Sequence, residues 1–94
     1  MFLVFKYPLG RCEGGWRDLY IVKYSLDEAL EEIKPDKSSI MYQVVQIERR
    51  IIVYILEAEV NGDSILVHTT SEPIKEFLEE YFKERFKLVK VEVQ

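Results

Sequence analysis

The chain has 94 residues, 48% hydrophobic and 32% charged, which is the mix of one small folded domain and not of a disordered or fibrous chain. Thirteen Lys and Arg against seventeen Asp and Glu leave a net charge of −4, which argues against a protein built to coat a phosphate backbone. The single cysteine, Cys12, excludes an intrachain disulfide and any zinc site that needs two or more thiolates.

No cofactor or metal is expected. The longest apolar runs, such as Ile51–Leu56, are too short to span a membrane. No basic region followed by an apolar stretch and a small-residue cleavage site opens the chain, so the expectation is a single cytoplasmic domain over 1–94. One Asn and three Gln among many Glu, Lys, Ile and Val match proteins from hot environments, where thermolabile amides are scarce.

Phe2–Tyr7 reads as a strand closed by Pro8, and Asp18–Tyr24 as a second. Their β-branched and aromatic content and the glycines between them predict a hairpin with a long loop. Ser25-Leu26-Asp27-Glu28 has the capping-box pattern of a helix start. In it the Ser hydroxyl accepts from the Glu28 amide while the carboxylate reaches back. Leu26, Ala29, Leu30 and Ile33 make one apolar stripe at helical spacing, and Pro35 stops the helix. Residues 35–39 are expected to be a polar connector.

Ile40–Glu48 and Arg50–Val60 are strand-like, with a tight turn near residues 48–50. Asn61-Gly62 is the strongest hairpin signal, as the centre of a type I′ turn. Ser64–Thr69 follows as a strand. Thr70 or Ser71 then caps a second helix with Pro73 in its first turn, where a missing N–H costs nothing. Ile74, Phe77, Leu78, Tyr81, Phe82 and Phe86 form its apolar face, and Lys87–Val93 alternates as a last strand.

The predicted fold is α+β, a two-layer sandwich of order ββαβββαβ. Its six-stranded sheet is mostly antiparallel, with both helices on one face. Right-handed crossovers place the Pro8–Trp16 loop and the Asn61-Gly62 turn at one end, and the Arg49-Arg50 tip at the other. Two helices cover one face of a sheet about 24 Å wide and leave the other bare. Yet several strands are apolar on both faces: Ile52, Tyr54 and Leu56 oppose Ile51, Val53 and Ile55. A second copy of the chain, a sheet coiled on itself or a ligand is expected to cover that face, self-association being the most economical.

No catalytic motif stands out. The loop Gly10–Arg17 has glycines whose amides can approach an anion, arginines that can clamp one, and a Trp that can stack. It matches no phosphate-binding fingerprint, since it joins two strands, and it lies near helix C-termini, which repel anions. Arg11, Trp16 and Arg17 are therefore read as the contact with an unknown protein partner. Cys12 and His68 form the one thiol–imidazole combination, and topology keeps them apart. Glu57 and Glu59 share a strand face about 7 Å apart, with no sign of a pocket around them. Arg49 and Arg50, with Tyr42 and Tyr54, suggest single-stranded nucleic-acid binding on an aromatic sheet face, against the acidic charge. The expected function is a non-enzymatic protein-interaction module acting as a homodimer. Nucleic-acid binding and a thiol enzyme using Cys12 are the alternatives.

Overall fold

The computed structural model describes residues 1–94. Its strands are β1 (Phe2–Pro8), β2 (Leu19–Lys23), β3 (Asp36–Glu48), β4 (Ile51–Gly62), β5 (Ser64–Thr69) and β6 (Leu88–Val93). Helix α1 (Leu26–Glu31) follows β2, helix α2 (Glu72–Lys83) follows β5, and a 3-10 turn at Gly15–Asp18 precedes β2. The strands make one sheet in the order β2-β1-β3-β4-β5-β6. Every neighbouring pair is antiparallel except β5 and β6. The fold is thus α+β in the expected order ββαβββαβ. Helix α1 steps over β1 to link β2 with β3, which run the same way, while α2 links adjacent β5 and β6. No helix is long and apolar enough to cross a membrane.

Both helices pack on one face. Ala29, Leu30 and Ile33 of α1, with Leu78, Phe82 and Phe86 near and on α2, share one core with Val4, Tyr42, Val44, Leu56, Ala58, Val60 and Val67. Helix α1 lies over β1 and β2 and α2 over β5 and β6. The middle strands are therefore covered by side chains reaching in from both sides. Phe82 stacks edge-on against Tyr81 and Phe86, an arrangement that adds to area burial.

The Ser25 hydroxyl accepts from the Glu28 amide at 3.2 Å, as predicted. The Glu28 carboxylate, however, accepts a hydrogen bond from the Ser25 hydroxyl at 3.0 Å and does not reach the backbone. Ser71 caps α2 by position, without a hydrogen bond from its side chain.

Strand phasing differs from simple alternation at two bulges. Val44 pairs with Leu56 but Val45 with Tyr54, so Ile55 is an extra residue on β4. Leu56 therefore joins Ala58 and Val60 under the helices, on the opposite side from Tyr54, and not beside it. Val4 pairs with Ile21 but Phe5 with Leu19, which makes Tyr20 extra on β2. Bulges increase local twist, and both lie at the same level of the sheet. The expected connector at residues 35–39 is instead the start of β3, since Asp36 pairs with Gly62 across an irregular step.

The two tight turns also differ from expectation. Asn61 pairs with Ser64, so the turn residues are Gly62 and Asp63, with positive φ at Gly62 alone (62°), as in a type II′ turn. At the opposite end Glu48 pairs with Ile51, and the central residues Arg49 and Arg50 both have positive φ (50° and 68°). That is type I′ geometry built on arginines, at a cost of about 1–2 kcal/mol per residue against the right-handed conformation.

Candidate functional site

Three surfaces contain the residues singled out by the sequence. The first is the loop between β1 and β2. Leu9 N–H donates to the Ser39 carbonyl and Arg11 N–H to the Pro8 carbonyl, both at 3.0 Å. The Asp18 carboxylate then closes the loop, accepting from Glu13 N–H at 3.0 Å and Gly14 N–H at 2.8 Å. Two of the amides that this loop would present to an anion, those of Glu13 and Gly14, are thus already occupied by the chain's own carboxylate. Sequence reasoning missed Asp18, although a short acidic side chain after a Gly-rich run is a recurring turn-closing device. Trp16 is 69% exposed, with its ring 6.2 Å from Phe5. Arg11 and Arg17 are also exposed, and neither forms an ion pair. Cys12 is exposed in the same loop. His68 is on β5, three strands from β1, and its Nδ1 lies 3.5 Å from Glu92 and 3.2 Å from the Gln94 amide nitrogen. The structure does not bring the thiol and the imidazole together.

The second surface is the helix-free face of the sheet, which divides into two halves. On the β2-β1-β3 side the cross-strand row Val22, Leu3, Val45, Tyr54 is apolar. The next row runs Leu19, Phe5, Gln43, Glu57, His68, Glu92 and turns polar as it crosses the sheet. Leu3 is only 3% exposed with no layer above it, so its neighbours shield it. Glu57 sits among tyrosines. Burial first, then the Glu57 carboxylate, Tyr7 and a hydrogen bond to Glu57, push Tyr54 up to about 12. Burial and Glu57 also raise Tyr7. Glu59 lies one row further on, at the edge of a shallow depression of about 420 Å³ bordered by Leu66, Leu88 and Lys90. The Lys90 ammonium, 3.0 Å away, holds the Glu92 carboxyl below its ordinary value.

The aromatic nucleic-acid surface is not assembled. Tyr42 is 1% exposed beneath the helices, with Lys6 over its ring, while Tyr54 is on the other side of the sheet. A base cannot stack on both. Tyr42 is a core residue because its register places it beside Ala58, on the covered face.

The third surface is the arm formed by the outer ends of β3 and β4. Pairing between β4 and β5 runs from Asn61–Ser64 to Leu56–Thr69 and stops there. Residues Ile51–Ile55 therefore continue about 13–16 Å past the end of β5, paired with β3 on one side only. Thr69 marks the junction: it is fully buried and donates its hydroxyl proton to the Ile55 carbonyl at 2.8 Å. Ile51, Ile52 and Val53 are 63%, 68% and 45% exposed. Arg49 and Arg50 form the tip, and neither meets a carboxylate. No protein-family model, curated protein or solved structure matches the chain.

Proposed function

We propose that the chain is a small non-enzymatic protein-interaction module that acts as a homodimer. In this reading the loop carrying Arg11, Trp16 and Arg17 is the contact with a further protein. The observation that carries it is the exposed aliphatic run Ile51–Val53, against which the fold places no layer. Contiguous apolar surface of this kind on a small chain favours association, and two-fold dimers are the commonest closed assembly. The loop reading is supported by an exposed Trp that shares its loop with two unpaired arginines, the residue types enriched at the energetic centres of interfaces.

Native mass spectrometry and sedimentation across the micromolar range test the assembly. A reversible dimer is expected, because a small interface gives modest affinity; a monomer at every concentration overturns the reading. For the loop, a partner captured by the unaltered chain should be lost with Trp16→Ala and with Arg17→Ala. Capture that survives both changes moves the contact elsewhere.

A further inference from the structure

Resting on the homodimeric reading above, we infer that two copies join through the unpaired outer edge of β4. The two strands run antiparallel about a two-fold axis at Ile52, so that the two sheets become one. The exposed strand edges of the sheet differ in kind. Edges that stay single are protected by charges, bulges or shortness. The β6 edge carries Lys90 and Glu92, and β2 is five residues long with a bulge at Tyr20 and Lys23 at its end. The outer edge of β4 reads Ile51-Ile52-Val53-Tyr54, without a charge, proline or glycine. Its backbone groups on the β5 side have no strand to pair with.

The register follows from the shape of the arm. Directly opposite residues in an antiparallel pair point to the same face. An axis at Ile52 therefore sets Ile52 against its own copy on the helix-free side, and Ile51 against Val53 on the other. Moving the axis to Val53 would bring the partner's Arg50 opposite Leu56, a place that Thr69 already fills. Moving it to Ile51 would lay the arginine tip over the aliphatic run and leave Val53 unmatched. Only the Ile52 axis buries the three exposed aliphatic residues of the arm together.

Charge agrees with this placement. With the axis at Ile52, the arginine tip of one copy arrives beside Tyr54 and Ile55 of the other. Two carboxylates without a basic partner belong to this end of the sheet: Glu57, beside Tyr54 on the helix-free side, and Glu72, the first residue of α2, three residues past the end of β5. The arginines that the turn holds at positive φ are the cations that these carboxylates lack. A second copy of this chain thus supplies both the apolar edge and the charge that the arm calls for.

The test uses the whole chain with Cys12→Ser, so that any introduced thiol is alone. Ile52→Cys places two thiols across the axis, with Cα atoms about 4.5–5.5 Å apart, inside disulfide range. Air oxidation should link it into a covalent dimer. Ile51→Cys puts its thiols about 8 Å apart and should link far more slowly. Equal linking at both positions, or at neither while the chain still sediments as a dimer, overturns the edge and leaves the homodimer standing; a monomer throughout overturns both. Ile52→Lys should weaken dimerisation at least about tenfold while circular dichroism stays unchanged, because the position is exposed in the single chain. The double change Arg49→Glu and Arg50→Glu should weaken it by about tenfold through repulsion from Glu57 and Glu72. Dimerisation that ignores either change overturns the arrangement.

Discussion

Strand β4 contains two stretches of similar chemistry with opposite fates. Its inner half, Leu56 to Val60, is paired on both sides and lies under the helices, with Leu56, Ala58 and Val60 fully buried. Its outer half, Ile51 to Tyr54, is at least as apolar, yet has a neighbour on one side only, with Ile51, Ile52 and Val53 exposed and Tyr54 half-buried. Hydrophobicity is the same driving force in both halves. The difference lies in where β5 ends and where the Ile55 bulge turns the strand. An aliphatic run therefore reports a need for cover, and the topology decides whether the chain itself or another molecule supplies it.

Truncations of equal chemistry in the two halves sharpen this contrast most. Leu56→Ala should cost about 2–5 kcal/mol of folding stability, through lost transfer energy and the cavity left behind. Ile52→Ala should change the stability of the dilute single chain by no more than about 0.5 kcal/mol. Urea denaturation at low protein concentration measures both. Similar losses at the two positions would mean that the arm is covered within one chain, and the contrast would fail.

The junction between the halves gives the next effect. Thr69 ends β5, and its hydroxyl holds the carbonyl of the extra residue Ile55 while accepting from the Ser71 amide at 3.3 Å. Thr69→Val keeps the shape but leaves a buried carbonyl without its donor, at about 1–3 kcal/mol. The loss should be accompanied by faster amide exchange from residue 54 to residue 56, because the bulge loses its clasp. A loss of stability without local exchange would place the role of Thr69 in packing alone.

Much of this frame is legible in the residues. Ser25 and Pro73 mark helix starts, whereas α1 ends at Glu31, four residues before Pro35, and the apolar stripes of both helices identify the face that carries the core. The bulges are not legible. Nothing in Tyr54-Ile55-Leu56 distinguishes an extra residue from a regular one, and the phase is set by Val44 and Val45 on another strand. For the same reason Tyr42 and Tyr54 look alike in sequence and lie on opposite faces. Asn61-Gly62 signals a turn correctly but is offset by one residue, because Gly62 satisfies the positive φ at the first central position. The exposure of Arg11, Trp16 and Arg17 follows from their loop. The clasp made by Asp18 and the overhang of β4 appear only once the strands are paired.

The smallest expected effect is at Tyr54, the half-buried last residue of the outer half. Its hydroxyl has an ordinary value of 10.0 and is raised to about 12, by burial first and by Glu57 next. The folded chain thus keeps a proton that the unfolded chain has released between those values. Unfolding then releases protons, so stability falls as the pH rises across that interval. The contribution is complete below pH 10 and is lost as the pH passes through about 12. Tyr7 is raised in the same direction by burial and by Glu57, and adds to the slope. Glu57→Gln removes the negative charge that both tyrosines face and should bring the phenolate absorbance transition of Tyr54 down towards its ordinary value. Burial remains as the main cause, so only part of the shift should disappear. If Tyr54 instead ionises at its ordinary value of 10.0, with or without Glu57, then this end of β4 is as open as its tip. The boundary between the two halves would then lie at Leu56 and not at Tyr54.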